Sequence, residues 1–203
     1  MKTCEYDGDP FSEPRSHPWT GGAGSADACY YDFTVAPGLI RSSLEDFSPW
    51  DQYGAVADFY ALVERLNHSK SALESNDCAF SGPHPNEDAQ FDKTLQCSGR
   101  LMVLYRALEL NTGGRRVAWL KTALHYQLAR LDSKFRWGMI GTTLVPVRYL
   151  ALPIDGEGQL GEQLMISFWA WGDSEAESMR NLGRLLSNLS QALRSVSAQL
   201  AAA

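Results

Sequence analysis

The sequence predicts an α+β fold in which a small antiparallel sheet packs against three to four helices, including a long C-terminal helix. Residues 163–200 carry the strongest pattern, an aromatic-rich stretch followed by the longest periodic helix of the chain. Residues 28–35 and 135–171 are rich in the aromatic and β-branched types that favour strands. We therefore expect the sheet to consist of an early strand plus a C-terminal hairpin.

Most of this 203-residue chain should form one domain, because 44% apolar and 11% aromatic residues are ordinary for a globular protein. Its beginning is dense in proline and glycine, as in His17-Pro18 and Gly21-Gly22. Proline fixes φ and biases the residue before it away from helix. We predict an N-terminal arm over residues 1–26 and a single α+β domain over residues 27–200.

The first strand is predicted over residues 28–35, where Tyr, Phe, Thr and Val cluster ahead of Pro37-Gly38. The next element is a helix. Ser48 suits its N-cap and Pro49 its first position, and apolar residues recur at helical spacing to about Leu73.

The middle of the chain is predicted to hold a loop and two helices. Residues 75–90 contain Gly82-Pro83 and further breakers, which favour a loop. Apolar spacing predicts helices over residues 91–110 and 115–131, and the glycines of residues 111–114 suit the stop between them. Two helices joined by so short a loop should form an antiparallel pair.

The C-terminal third is predicted to be a hairpin followed by the long helix. Residues 135–152 are β-rich but contain Pro146, which favours two short strands or one bent strand. Asp155-Gly156 suits a tight hairpin turn that leads to a strand over residues 164–171. Ser174 and Glu177 then match a capping box at the start of the helix.

The spacing within the C-terminal helix resembles that of a dimerising coiled coil. Apolar residues recur in alternating steps of three and four: Met179, Leu182, Leu186, Leu189, Leu193, Val196 and Leu200. The flanking positions lack the Glu and Lys that set partner and register in a parallel zipper. We therefore interpret the stripe as a core face, which Leu185 widens. Homodimer formation through the last turns stays a prediction.

Charge is divided unevenly along the chain. Residues 1–100 hold 16 acidic and 7 basic residues, whereas residues 101–203 hold 8 acidic and 11 basic ones. The basic residues concentrate in the helix pair of residues 100–136, and four of them are candidate partner-binding residues: Arg115, Arg116, Lys121 and Arg130. Such a face suits an acidic protein or a nucleic acid, or it pairs with the acidic N-terminal half. A pI of about 5.2 argues against a dedicated nucleic-acid binder.

Trp169 and Trp171 are the aromatic candidates for partner binding. Two residues apart on a strand, they share one face, with Phe168 on the other. If that face is closed, both tryptophans belong to the core. If it is open, they form a binding anchor, since aromatic residues are enriched at interaction hot spots.

Sequence motifs for catalysis, cofactors and metal ions do not occur. The four cysteines form no CxxC pair, and the GxSxG, HExxH and P-loop patterns are missing. We therefore predict no catalytic residue, no cofactor and no metal site. No apolar run reaches the roughly 20 residues of a membrane-spanning helix, so we expect a cytoplasmic protein without membrane association.

These observations favour a non-catalytic binding protein that acts by occluding a macromolecular partner, as an inhibitor or a bacterial immunity-type protein does. We expect that partner to be a protein. The alternative is a small-ligand sensor or small enzyme with an aromatic pocket between sheet and helices. A nucleic-acid-binding regulator that uses the basic helix pair of residues 100–136 is the third candidate.

Overall fold

The computed structural model describes residues 1–6, 13–18, 32–87, 90–154 and 157–201. In these ranges the chain forms six strands and four α-helices. The strands are β1 (Lys2–Glu5), β2 (Arg15–His17), β3 (Leu73–Pro85), β4 (Leu95–Tyr105), β5 (Gly138–Ile154) and β6 (Glu157–Gly172). The helices are α1 (Ile40–Ser43), α2 (Gly54–Leu66), α3 (Arg115–Arg130) and α4 (Glu175–Ala201).

All six strands belong to one sheet with the order β1-β5-β6-β4-β3, and β2 also pairs with β5. The pairs β3–β4, β4–β6 and β5–β6 are antiparallel, whereas β1 and β2 run parallel to β5. The prediction of a small antiparallel sheet is therefore wrong. The sheet is larger and mixed, because two N-terminal strands join the edge of the C-terminal hairpin.

The predicted early strand is wrong where it falls within the described ranges. Residues 28–31 lie outside those ranges, and residues 33–35 form a turn that begins after Asp32. Asp32 Oδ1 accepts hydrogen bonds from the backbone N–H groups of Thr34 at 2.9 Å and Val35 at 3.2 Å. A short acceptor side chain of this kind competes with sheet pairing for the backbone donors.

Two further predictions are wrong, because the loop over residues 75–90 and the helix over residues 91–110 are mainly the β3–β4 hairpin. Proline and glycine are tolerated in β3 because it is an edge strand with two register shifts. The apolar run of residues 101–105 is buried on both faces of β4, an interior strand of the sheet. A continuous apolar run fits a buried strand as well as a helix. The predicted antiparallel helix pair therefore does not form.

One face of the sheet is covered by α2, α4 and α3, with α4 in the middle. The alternation along the central strands directs Leu101, Ile166 and Phe168 into the core on this side. The helices predicted over residues 115–131 and after Ser174 are confirmed as α3 and α4.

Helix α2 is shorter than predicted at both ends. Ser48 and Pro49 lie inside a separate 3-10 helix, Glu45–Trp50, and α2 begins only at Gly54. At its C-terminal end, Asn67 Nδ2 bonds the Val63 carbonyl at 2.9 Å as the chain turns toward β3.

The apolar stripe of α4 packs inside this chain. Its first six members are each at most 2% exposed: Met179, Leu182, Leu186, Leu189, Leu193 and Val196. Leu185, which widens the stripe, is fully buried. Leu200 is partly buried. At the start of the helix, Ser174 Oγ accepts from the Glu177 N–H at 3.2 Å, and Glu177 Oε2 accepts from the Asp173 N–H at 2.9 Å. The Glu177 side chain therefore bonds the N–H of Asp173, one residue earlier than the Ser174 N–H that a capping box predicts.

Strands β5 and β6 form the predicted C-terminal hairpin, and their ladder closes at the pair Ile154–Glu157. The predicted turn, Asp155-Gly156, lies outside the described ranges. Pro146 faces Glu162 of β6, and on the other side of β5 it falls between the residues that pair with β1 and those that pair with β2. The missing N–H of proline therefore interrupts neither of those pairings.

The face of the sheet away from the helices is strongly curved. In a flat sheet β2 and β3 would lie about 19 Å apart, which is four intervals of about 4.8 Å. However, Arg15 Nη1 of β2 lies 2.8 Å from Asp77 Oδ2 of β3. The curvature also encloses a small second core of Leu104, Val147 and Tyr149.

Both β1 and β2 come from the predicted N-terminal arm, whose residues 7–12 and 19–26 lie outside the described ranges. The domain boundary near residue 26 stays a prediction. Among the described helices, none combines the length and the apolar character needed to cross a membrane.

Candidate interaction surface

Helix α3 begins where the chain reverses at a glycine. Gly114 has a φ of 66°, in the left-handed region that glycine adopts without steric cost. Before it, the Asn111 side chain holds the turn, because Nδ2 donates to the Tyr105 carbonyl at 2.8 Å and Oδ1 accepts from the Tyr105 N–H at 2.9 Å. The helix then buries one stripe: Val117, Leu120, Leu124 and Leu128. This burial fixes which face of α3 points to solvent.

Five exposed residues at helical spacing lie opposite that stripe, and we call them the α3 surface: Arg115, Trp119, Thr122, Tyr126 and Arg130. Trp119 is 39% exposed and Tyr126 is 57% exposed. The surface is roughly 22 Å long at a rise of about 1.5 Å per residue. Exposed Trp, Tyr and Arg are the residue types that are enriched at interaction hot spots.

The arginines of this region differ in how they are held. Arg130 Nη1 donates to the Tyr126 hydroxyl at 2.6 Å, and its guanidinium carbon lies 5.1 Å from the centroid of the same ring. Arg115 and the neighbouring Arg116 form no salt bridge within the described ranges. Their guanidinium groups are therefore available to an external carboxylate or phosphate.

Lys121, the remaining basic candidate, faces another way. Its Nζ lies 2.6 Å from Glu5 Oε2 on β1. This hydrogen bond lowers the pKa of Glu5. Lys121 thus links α3 to β1. It lies on a different side of α3 from the other basic candidates, Arg115, Arg116 and Arg130.

The predicted pairing of the basic region with the acidic N-terminal half is realised only in part. Arg100 bonds Asp77 at 3.3 Å, as Lys121 bonds Glu5. Just beyond α3, Asp132 Oδ1 accepts a hydrogen bond from Arg184 Nη2 of α4 at 2.6 Å, which lowers the pKa of the Asp132 carboxyl group. Lys134 and Arg136 follow nearby and are exposed. Within the α3 surface itself, Arg115 and Arg130 form no salt bridge with a described carboxylate, so the surface keeps an excess of positive charge.

The two candidate tryptophans lie on the sheet face away from the helices. Trp171 is 1% exposed, its Nε1 donates to Gln96 Oε1 at 2.9 Å, and its ring packs on Phe91. Trp169 is partly buried beside Gly141, where the Tyr6 ring also packs. Both tryptophans contribute to packing, and neither belongs to the α3 surface.

A second cluster of polar side chains closes the curved face between β2 and β3. Asn76 lies at a bulge of β3, and its Nδ2 donates to Gln163 Oε1 at 3.0 Å and lies 3.1 Å from His17 Nδ1. Bulges commonly re-aim a side chain in this way. His17 Nε2 lies 3.6 Å from Glu74 Oε1, which is too long for a hydrogen bond.

Burial controls the protonation of His17 and Glu74. It raises the pKa of Glu74 to about 7, against the opposing attraction of Arg106. It also lowers the pKa of His17. Near neutral pH, His17 is therefore uncharged and Glu74 is partly protonated. The Tyr149 ring packs edge-on against His17, so we interpret the pair as part of the sheet closure and assign it no catalytic role.

The thiols of Cys78 and Cys97 are poor nucleophiles. Burial raises the pKa of Cys78 to about 12 and that of Cys97 to about 11, so both stay protonated near neutral pH. In the part of the chain that the structure describes, no three His, Cys, Asp or Glu residues are grouped so that they could hold a metal ion.

No protein-family model, curated protein or solved structure matches the chain. The assignment of the α3 surface therefore rests on its geometry. Sequence reasoning selected Arg115 and Arg130 but missed Trp119 and Tyr126. The signal was present, because both aromatics lie off the predicted apolar stripe and at helical spacing from Arg115.

Proposed function

We propose that this chain is a non-catalytic binding protein that occludes an acidic segment of a protein partner with its α3 surface. The observation that carries the proposal is the exposure of Trp119 and Tyr126 between Arg115 and Arg130, on a helix whose other face is fixed in the core. An inhibitor or immunity-type role and a cytoplasmic location are parts of the same proposal.

The chemistry of the α3 surface supports an acidic protein. Trp119 and Tyr126 offer large contact areas at a small cost in conformational entropy. Arg115 can donate two parallel hydrogen bonds to one carboxylate. Arg130 is already oriented by its bond to Tyr126. Stable interfaces bury about 800 Å² on each partner, so the contact should extend beyond the α3 surface toward Arg116.

Nucleic acid is the third candidate, because aromatic rings and arginines also stack on bases. The net charge of −6 opposes association with an extended polyanion more than with one acidic segment, because the segment contacts the α3 surface alone. Salt dependence separates the two partners, since an affinity that rests on many phosphate contacts falls steeply with ionic strength.

Reversing the charge at both ends of the α3 surface tests the proposal. The full chain serves as bait in the source cell, and the affinity for the purified partner is then measured by titration calorimetry. Arg115→Glu with Arg130→Glu should weaken binding by at least tenfold, and Trp119→Ala by about thirtyfold, as expected of hot-spot residues. Arg180→Glu makes the same kind of charge reversal at one position on the exposed side of α4 and should leave the affinity unchanged.

The outcomes discriminate between the candidates. Equal binding by the double variant and the wild type would reject the α3 surface as the contact. Loss of the partner on nuclease treatment would favour the nucleic-acid regulator. Recovery of a bound small molecule alone would favour the ligand sensor.

Homodimer formation through the last turns of α4 remains a proposal. The apolar stripe of α4, whose spacing suggested a homodimer, packs inside this chain up to Val196. Its last member, Leu200, is only partly buried. Sedimentation equilibrium of the full chain measures the oligomeric state, and a monomer at all accessible concentrations would exclude a homodimer.

A further inference from the structure

A groove between α2 and α4 lies on the side of α4 away from α3. Its volume is about 460 Å³, which is within the usual range for small-molecule sites. Three leucines form its apolar floor, and each is at most 3% exposed: Leu62, Leu66 and Leu193. Because these side chains are packed into the core, the floor is rigid.

The rim of the groove is cationic. Arg65, Lys70 and Arg194 line it and are exposed. None of the three forms a salt bridge with a described residue. The acidic residue described in the lining, Glu64, is already paired with Arg41 at 2.8 Å. Unneutralised positive charge therefore surrounds an apolar floor.

His68 adds a hydrogen-bond donor to the same rim. Its Nδ1 accepts a hydrogen bond from the Lys70 backbone N–H at 3.2 Å. In the neutral ring the proton consequently lies on Nε2, which makes that nitrogen a donor. Ser197 supplies a hydroxyl group from α4. The rim thus offers charged and neutral donors to one acceptor group.

We propose that this groove binds a small aliphatic carboxylate. The aliphatic chain lies in the groove over the leucine floor and against the carbon stems of the cationic side chains, and the carboxylate meets Arg65, Lys70 and Arg194. Both parts of the ligand are needed, because an inorganic anion would leave the floor unused and a neutral chain would leave the cations without a counter-charge. The site is separate from the α3 surface and differs from the aromatic pocket that the sequence suggested between sheet and helices.

Decanoate, kept below its micelle concentration, is the probe, and decanol is the neutral comparison. Decanoate should shift the backbone amide resonances of Leu66, Ser71 and Ser197 in a saturable manner, and it should bind more tightly than decanol. Lys70→Glu with Arg194→Glu should weaken decanoate binding by about tenfold or more. Arg180→Glu carries the same kind of charge change on α4 outside the groove and should bind decanoate like the wild type.

Circular dichroism first establishes that each variant is folded, and Arg194→Gln replaces the double variant if that one unfolds. The proposal is overturned if decanoate and decanol bind equally, or if the rim substitutions leave decanoate binding unchanged. It is also overturned if inorganic phosphate shifts the same resonances at the same affinity, because the leucine floor would then have no role.

Discussion

Glu74 is a carboxylate whose surroundings favour the protonated form. Its side chain is 12% exposed, and burial raises its pKa to about 7 from an ordinary value of 4.5. Between these two values the folded protein holds a proton that the unfolded chain has released. The free energy of unfolding therefore falls as the pH rises through this window, and the cost persists above pH 7.

We predict that Glu74→Gln removes this cost. The amide resembles the protonated acid and stays neutral, so the variant should match the wild type near pH 4.5 and exceed its free energy of unfolding by roughly 1–3 kcal/mol at pH 8. Urea denaturation at both pH values measures the difference. Glu109→Gln changes an exposed carboxylate and should show no such gain. A destabilised Glu74→Gln variant at pH 8 would mean that the attraction to Arg106 outweighs burial.

Among the elements, α3, α4 and the C-terminal hairpin could be predicted because their spacing, caps and turn residues are local. Strand β4 could not, since the apolar run of residues 101–105 suits either a helix or a buried strand. Its pairing with β3 and β6 decides between them, and β6 lies far away in sequence. The burial of Trp171 could not be predicted either, because it depends on the residues that pack against the sheet face away from the helices, such as Phe91.

Gly99 tests the packing of β4 against its neighbours. A Cβ atom at this position would lie 2.4 Å from Phe168 Cζ and 2.7 Å from the Ala79 carbonyl oxygen. The oxygen cannot move without disturbing the β3–β4 pairing. Gly99→Ala should therefore lower the free energy of unfolding by roughly 1–3 kcal/mol, as overpacking does.

Gly113→Ala is the matched control, because nothing lies within 4 Å of the added Cβ. It should leave stability unchanged or raise it slightly, since alanine restricts the unfolded chain. Denaturant unfolding of both variants gives the comparison. Similar stabilities would contradict the close approach of Gly99 to Phe168.

At the scale of the whole molecule, the two sheet faces are completed in different ways. Helices α2, α4 and α3 cover one face, and the apolar stripe that positions α4 there can be read from the sequence. The other face closes by curvature, which brings β2 beside β3. No local pattern predicts that contact, because it joins Arg15 to Asp77 through a sheet whose strands come from the whole chain.

Asp77 links three strands at this closure. Its Oδ2 accepts hydrogen bonds from Arg15 Nη1 of β2 at 2.8 Å and from Arg100 Nη2 of β4 at 3.3 Å. Asp77→Asn removes the charge that both arginines share. Because partly exposed ion pairs contribute only about 0–1 kcal/mol, the global free energy of unfolding should fall by less than about 1 kcal/mol. Local opening of the three-residue strand β2 should increase much more.

Hydrogen exchange followed by mass spectrometry separates the local effect from the global one. Asp77→Asn should speed exchange in residues 15–17 and in their β5 partners, residues 147–149, while exchange in α4 stays unchanged. Glu64→Gln removes a different surface pair, with Arg41, and should not affect β2. Unchanged exchange in β2 would show that the closure depends on the His17 and Tyr149 packing instead. Faster exchange in α4 would show that the closure is coupled to the unfolding of the whole chain.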